Sequence, residues 1–217
     1  MTQDEIIEKT VAYVKAELAG AEAGHDWWHI LRVWNTSKAL LTKEPADALV
    51  VQLGALLHDI ADSKFHGGDE TLGPAKAEAF LRTLGTEDET ITHVVNIIRH
   101  ISFKGGNFAQ TFTSPELMVV QDADRLDAIG AIGIARAFTY GGYKNRAMYD
   151  PDIPPQTDMT KEQYKNSTAP TINHFYEKLL LLKDKMNTPT GRDMAAQRHT
   201  FMQDYLEQFY AEWDGRL

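Results

Sequence analysis

Cysteine is absent from the 217 residues of the chain. Its absence excludes disulfides, thiolate zinc sites and a cysteine nucleophile, so any bound metal must take His, Asp, Glu or water as its ligands. Long apolar runs of the length that a membrane span requires are also missing. The first residues, MTQDEIIEKT, are acidic and polar, whereas a signal peptide is basic and then apolar. The sequence therefore predicts a soluble, cytoplasmic protein without a membrane partner.

Basic residues are fewer than acidic residues in this chain. Twenty-two Lys and Arg stand against thirty-one Asp and Glu, which gives a formal net charge of -9. Such a chain repels a phosphate backbone and lacks the basic stripe of a nucleic-acid-binding protein, so we expect no polymeric nucleic acid as a partner. A small phosphorylated ligand remains compatible, because clustered Lys and Arg or a bound cation can reverse the charge inside one cleft.

The alternating pattern of a β-strand is not found, and nearly every segment has helical spacing. We therefore expect an all-α fold of about eight or nine helices in a single domain. Within residues 1–217 this domain would have a helical core at about 20–140, and C-terminal helices at about 165–215. The segment from about Asp47 to His58 is apolar nearly all round, which predicts a central helix buried on every side.

Helix boundaries are predicted from capping residues. Thr2-x-x-Glu5 has the form of a capping box, and so has Thr86-x-x-Glu89. Asp26 is expected to cap a second helix. The pattern that begins at Ser114 predicts one long helix to about Phe138.

One long segment lacks a helical pattern. Residues 139–158, TYGGYKNRAMYDPDIPPQTD, are rich in Gly, Pro, Asp and Tyr. Loops of this length in a compact domain usually act as lids or binding loops, or are disordered. An ordinary surface loop is the alternative to a lid. The side chains that could stack on a base or hold phosphate are Tyr140, Tyr143, Lys144 and Arg146.

The stretch GALLHDIADSKF, residues 54–65, combines apolar and ionisable side chains. Its first half suits a buried helix, whereas His58 and Asp59 stand side by side at the end of that helix. An unpaired carboxylate in an apolar site is costly and tends to become neutral, so the group needs a partner. A metal ion is one sufficient partner, and His29 and Asp124 offer further ligands from other helices.

The order of these residues resembles a known family. His29, then the His-Asp doublet at 58 and 59, then Asp124 before Arg-Leu match the H…HD…D pattern of the HD-domain metal-dependent phosphohydrolases. The motifs DWWHILRV, LGALLHDIADSKF, ISFKGG and DADRLDAIGAIGIAR, with HFYEKLLLLKDKM and EWDG, are similar to small bacterial HD proteins of the YedJ and YpgQ type. The resemblance covers nearly the whole chain. It implies that His29, His58, Asp59 and Asp124 bind one divalent cation, and that the reaction is hydrolysis of a phosphate ester or anhydride.

Two imidazoles and two carboxylates without a thiolate favour an octahedral ion over tetrahedral structural zinc. Manganese or magnesium is the expected cofactor, with nickel, iron or zinc as alternatives. The two open coordination positions would hold a water and a phosphoryl oxygen. A bound cation lowers the pKa of that water and offsets the developing charge.

Asp62, four residues after His58, is the candidate to accept a proton from the attacking water or to orient it. The stringent-response hydrolases, which are HD relatives, carry Glu followed by Asp at this place, whereas this chain has Asp62 followed by Ser63. Capping of the next segment is the alternative role for Asp62.

Several neighbouring residues are candidates for substrate contacts. Lys64 and Arg32 could contact phosphate. The alternative for Lys64 is a solvated surface lysine, and the alternative for Arg32 is an ion pair with an acidic neighbour. His100 could touch the substrate, whereas His93 is expected to be structural. These two histidines and His66 are the candidates for a second metal, although a mononuclear site is favoured.

Asp124 has two acidic neighbours. Asp127, three residues further on, shares a helix face with it and is expected to orient a ligand or to pair with a Lys or Arg. Asp122 is expected to face solvent. His174 matches no ligand position and is expected to hydrogen-bond within the core.

The leading functional interpretation is hydrolysis of nucleoside or deoxynucleoside triphosphates to monophosphate and pyrophosphate. The partner is then a small nucleotide, and a homodimer is possible. One alternative is a cyclic-nucleotide or alarmone phosphohydrolase, although the chain lacks the GYP motif of the cyclic-dinucleotide branch. The others are a di-iron oxygenase completed by His93 and His100, and a metal-holding ligand sensor without turnover.

Overall fold

The computed structural model describes residues 1–21, 26–61, 69–101, 111–160, 163 and 166–217. All regular structure in these residues is helical, which confirms the predicted all-α class. No helix in the described ranges is both long enough and apolar enough for a membrane span. These ranges contain nine α-helices and a 3-10 helix at Leu179–Lys185. The α-helices are α1 Gln3–Glu17, α2 Trp27–Leu41, α3 Ala48–Leu57, α4 Leu72–Thr83, α5 Asp88–His100, α6 Pro115–Asp127, α7 Gly130–Tyr143, α8 Thr171–Glu177 and α9 Pro189–Trp213.

The chain forms two compact units, residues 1–124 and 125–217. In the first unit α3 is central, since α1, α2 and α5 all pack against it. The side chains of Val51, Leu53 and Leu56 are fully buried. The prediction of a central apolar helix is therefore confirmed.

The second unit is built from α7, α8, the 3-10 helix and α9. Aromatic side chains from three of its helices meet in its core. The ring of Phe175, which is fully buried, lies 6.1 Å from that of Phe138 and 6.0 Å from that of Tyr205. All three residues of this cluster lie within the second unit.

The predicted caps of the first two helices are present. Thr2 and Glu5 form a complete capping box at the start of α1. The Asp26 carboxylate accepts the backbone N–H of His29 at 3.0 Å and so caps α2. Asp47 caps α3 by accepting the N–H groups of Leu49 and Val50. These caps satisfy backbone donors that a helix leaves without partners.

The capping box predicted at Thr86 and Glu89 is wrong. Helix α5 begins at Asp88, and its N-cap Glu87 makes no side-chain capping bond. The reason is that Thr86 belongs to the end of α4, because its N–H donates to the Leu81 carbonyl and the N–H of Gly85 to the Arg82 carbonyl. These two bonds form a Schellman motif, in which Gly85 takes φ +67.

The single helix predicted from Ser114 to Phe138 is also wrong, because the structure has two helices there. Helix α6 ends at Asp127 and α7 begins at Gly130, whose φ is +74. A positive φ is open to glycine at little cost and interrupts a right-handed helix. Helix α7 then continues to Tyr143, so residues 139–143 of the predicted loop are helical.

Helix α3 packs closely against both α5 and α6 at Gly54. A Cβ added to Gly54 would lie 3.2 Å from two side-chain atoms of Ile97 and 3.4 Å from Val120. Gly54 stands one helical turn before His58, and Val120 stands one turn before Asp124. The close approach therefore brings the ends of α3 and α6, with their ionisable side chains, to the same place.

Replacement of Gly54 by leucine should lower the free energy of unfolding. We expect a loss of about 1–3 kcal/mol, because overpacking a tight helix contact shifts side chains and backbone. Gly142→Leu is the matched control, since a Cβ at that position in α7 meets no atom within 4 Å. Urea unfolding of the two variants tests this, and equal stability of both would contradict the packing argument.

Candidate metal centre

His29 lies in the first turn of α2 and is only 2% exposed. Its backbone N–H is the donor to the Asp26 carboxylate, so the cap fixes the backbone that carries the ring. The Nε2 atom of His29 lies 3.3 Å from the Nε2 atom of His58. Two buried imidazoles thus present the same ring nitrogen to one point.

His58 is the C-cap of α3 and is 9% exposed. Its Nδ1 atom lies 2.8 Å from the backbone carbonyl oxygen of Ala55. Because a carbonyl oxygen can only accept, Nδ1 must carry the proton of this bond. In the neutral ring the lone pair is then on Nε2, the atom that faces His29. A backbone bond that fixes the tautomer in this way is the usual support of a metal-binding histidine.

Asp59 and Asp124 add carboxylates to the two histidines. One ligand atom each from His29, His58 and Asp59 lies within 4.8 Å of the others. The Oδ1 atom of Asp124 lies 3.6 Å from Nε2 of His29 and 3.9 Å from Nε2 of His58. Each aspartate therefore lies near both histidines, but the group of described residues whose ligand atoms all lie within 4.8 Å of one another contains Asp59 and not Asp124.

The spacing of these atoms suits a shared ion. Ligand atoms bound at about 2.0–2.2 Å from one metal are separated by between about 2.8 Å at right angles and about 4.4 Å when opposite. The distances of 3.3, 3.6 and 3.9 Å among His29, His58 and Asp124 fall inside this range. Imidazole and carboxylate ligands without a thiolate match borderline or hard divalent ions.

The site is polar, and its four residues differ in exposure. The side chains of the two histidines are 3% and 4% exposed, whereas that of Asp124 is 38% exposed. Solvent therefore reaches the group from the Asp124 side. His58 closes α3 and Asp124 lies in the last turn of α6, and the carbonyl ends of helices favour a cation.

Three predicted residues lie outside the described part of the chain: Asp62, Lys64 and His66. Their roles as base, phosphate contact and second-metal candidate stay predictions. Arg32 is half-buried on α2 and has interaction partners, so its role in phosphate binding also stays a prediction.

His93 and His100 make hydrogen bonds within the protein. Nε2 of His93 lies 2.8 Å from Oγ of Ser114, whereas His100 contacts the Asn96 carbonyl at 2.8 Å and Oγ1 of Thr111 at 3.1 Å. Among the described residues, the group that could hold a metal contains His29, His58 and Asp59 but neither of these two histidines. A structural role of His93 agrees with its contacts.

Asp127 and Asp122 are both buried. Asp127 is 3% exposed and forms an ion pair with Arg136, the second of its two predicted roles. Asp122 is fully buried, so the prediction that it faces solvent is wrong. The side of α6 that carries it is covered, since Val119 and Ala123 are also almost completely buried. No sequence signal separated Asp122 from an ordinary exposed aspartate.

Tyr143, Lys144 and Arg146 lie at and beyond the end of α7. The Lys144 ammonium is 4.9 Å from the Tyr143 ring, and the Arg146 guanidinium is 5.6 Å from the Tyr140 ring and donates to the Ser167 carbonyl at 2.6 Å. Tyr143 is 66% exposed. These residues form a group of aromatic rings and cations in the second unit, exposed at Tyr143 and Lys144 and half-buried at Arg146.

His174 is a half-buried histidine of α8. Its removal from water lowers its pKa to about 3, and the positive charges of Lys178 and Arg146 act in the same direction. A ring with this pKa is neutral at pH 7. Its place in α8 puts it in the second unit, apart in sequence from the four predicted ligands.

The helical fold and the converging histidines and aspartates are those of an HD-domain protein. A profile of the HD domain family matches residues 27–129. YpgQ of Bacillus subtilis is 36% identical, and the alignment covers 96% of this chain and 94% of YpgQ. The chain therefore belongs to the HD-domain superfamily.

Solved structures agree with this assignment. An HD-superfamily hydrolase from Bacillus thuringiensis is 43% identical, has a TM-score of 0.79, and the match covers 98% of this chain and 99% of that chain. The crystal structure of Bacillus subtilis YpgQ in complex with ADP is 36% identical, with a TM-score of 0.77 and coverage of 98% and 97%.

Addition of Mn²⁺ should raise the melting temperature of the protein. At a concentration of about 100 times Kd the ion would stabilise the folded state by about 2.7 kcal/mol, or about 5–10 °C for a chain of this size. Asp124→Asn keeps the shape of the side chain but removes its charge, and should lose most of this shift. His199→Gln in α9 is the control and should keep it. An undiminished shift in Asp124→Asn, measured by scanning calorimetry, would argue against this ligand.

Proposed function

We propose that the protein is a divalent-metal-dependent phosphohydrolase that acts on small nucleotides. The most plausible substrates are nucleoside or deoxynucleoside triphosphates, which it would cleave to monophosphate and pyrophosphate. The observation that carries the proposal is the convergence of His29, His58 and Asp124 through atoms 3.3–3.9 Å apart, with Asp59 beside them. The ADP complex of YpgQ supports a nucleotide as the ligand class.

In this proposal His29, His58, Asp59 and Asp124 hold one ion, with manganese or magnesium as the best match to the ligands. When bound, the ion supplies an activated water and offsets the negative charge of the phosphates. The His58 ring contributes a lone pair on Nε2 because the Ala55 carbonyl keeps the proton on Nδ1. The Asp124 side chain is 38% exposed, and this is the side from which a water and a phosphate group would reach the ion.

The proposed reaction is attack of water on the α-phosphorus. The bond between that phosphorus and the oxygen leading to the β-phosphorus breaks, and pyrophosphate leaves. Asp62 is the proposed residue that accepts the proton of the water or orients it. Lys64, Arg32 and His100 are the proposed contacts of the phosphates, and a cation at each of the first two places would counter the net charge of -9 of the chain.

Tyr143, Lys144 and Arg146 are the proposed contacts of the nucleotide base and of the phosphates next to it. An exposed tyrosine ring offers a stacking surface, and the Lys144 ammonium is already 4.9 Å from that ring. Arg146 is oriented by its bond to the Ser167 carbonyl. Such a combination of rings and cations is well suited to an anionic, aromatic ligand.

The proposal is tested by a nucleotide panel. Protein stripped of metal with a chelator and supplied with Mn²⁺ is offered nucleoside and deoxynucleoside triphosphates, cyclic nucleotides and an alarmone, and phosphate and pyrophosphate are measured separately. We expect pyrophosphate from at least one triphosphate, and a loss of at least about 100-fold in Asp59→Asn because even outer-sphere changes cost 10–100-fold.

His199→Gln should retain the wild-type rate in the same assay. Release of neither phosphate nor pyrophosphate from any nucleotide, by protein shown to bind Mn²⁺, would contradict the proposed activity. That result would instead favour a ligand sensor without turnover. Hydrolysis of the cyclic nucleotide alone, or of the alarmone alone, would identify that compound as the substrate class in place of the triphosphates.

A further inference from the structure

A second polar group lies at the starts of α3 and α6, far along both helices from the predicted ligands. It consists of Asp47, His93, Ser114 and Glu116, and we call it the anchor cluster. Glu116 is buried, with 8% of its surface exposed. One of its carboxylate oxygens accepts the backbone N–H of Asp47 at 2.9 Å, and the other lies 3.3 Å from Nε2 of His93.

The partners of Glu116 are the residues at which the two helices begin. Asp47 is the N-cap of α3, and its own carboxylate accepts the N–H groups of Leu49 and Val50. Ser114 precedes α6, accepts the N–H of Leu117 at 3.1 Å, and lies 2.8 Å from Nε2 of His93. The anchor cluster therefore joins the first turn of α3 to the first turn of α6, with α5 contributing the histidine.

The same two helices meet again further along. Three pairs of residues mark their common register, each pair nearer to the ligand end than the one before. The pairs are Asp47 with Glu116 through a 2.9 Å hydrogen bond, Gly54 with Val120 at the close approach, and His58 with Asp124 at 3.9 Å. At about 1.5 Å per residue, Glu116 lies about 12 Å from Asp124 along α6.

We propose that Glu116 is a positioning residue for the metal centre. Its carboxylate fixes where α3 begins relative to α6, and the two helices carry that placement to His58 and Asp124. This inference rests on the proposed metal site. It goes beyond it by assigning a role to a residue about two turns away from any ligand.

The positioning role is possible because polar contacts hold α3 and α6 together at their starts as well as near the predicted ligands. A buried carboxylate is costly unless donors satisfy it, and Glu116 has a backbone donor on one oxygen and a histidine on the other. Its place in the first turn of α6 adds favourable interaction with the helix dipole. Ligand geometry in metal sites must be held within about 0.5 Å, so a small shift of α3 is sufficient to matter.

The test measures Co²⁺ affinity and the visible absorption spectrum of the Co²⁺ protein, which reports coordination geometry. Glu116→Ala should bind Co²⁺ about 2- to 30-fold more weakly and show an altered spectrum. Glu116→Gln should restore both, because an amide oxygen can still accept the Asp47 N–H. Glu116→Asp keeps the charge but shortens the reach, and should give a smaller loss.

Leu81→Ala is the control for stability, since Leu81 is fully buried in α4 and belongs neither to the anchor cluster nor to the three pairs that mark the register. It should lower the melting temperature but keep the wild-type Co²⁺ affinity and spectrum. If Glu116→Ala does not fold, the Gln and Asp variants carry the comparison.

Wild-type affinity and spectrum in Glu116→Ala, or an equal change in Leu81→Ala, would overturn the positioning role while leaving the metal centre intact. An equal loss in the Gln and Ala variants would overturn the assignment to the Asp47 contact. Absence of Co²⁺ binding by the wild-type protein would instead refute the proposed metal centre, and this inference with it.

Discussion

The feature on which the first unit depends is the close packing at Gly54, where α3 meets Ile97 of α5 and Val120 of α6. A Cβ at Gly54 would lie 3.2 Å from Ile97 and 3.4 Å from Val120, which is tighter than an ordinary contact, so glycine allows this approach without a shift of its neighbours. His58 and Asp124 each stand one turn beyond this contact on their own helix, so their side chains arrive together. If α3 and α6 were held further apart, Nε2 of His58 and Oδ1 of Asp124 would no longer lie 3.9 Å from each other.

The polar ends of these helices are tolerated because each buried group has a specific partner. The Nδ1–H of His58 donates a hydrogen bond to a backbone carbonyl of its own helix, and Asp26 caps the helix turn that carries His29. At the other end Glu116 is satisfied by Asp47 and His93. Buried ionisable groups with fixed partners are pre-organised, so an ion that enters needs little rearrangement.

Much of the first unit could be predicted from the sequence, because its signals are local. An apolar run that ends in His-Asp predicts a buried helix with ionisable residues at its end. The capping residues Thr2 and Asp26 bond to backbone groups only three residues away, so their role is visible in the sequence. Two predictions failed where a competing local signal decided the structure, and a third failed where the deciding partner lay elsewhere in the chain. Thr86 was needed to end the previous helix, Gly130 took a positive φ that divided one predicted helix into two, and Asp122 was covered by tertiary packing. The role of Glu116 was hidden for the same reason, since an acidic residue in a first turn is ordinary until its partners on α3 and α5 are known.

The central claim is that one divalent ion is bound by His29, His58, Asp59 and Asp124. The most direct test is a crystal grown with Mn²⁺ and measured on both sides of the manganese absorption edge. We expect one anomalous peak per chain within about 2.0–2.3 Å of Nε2 of both histidines and of an oxygen of each aspartate. A map without a peak at this place, with the two imidazole nitrogens still in direct contact, would contradict it.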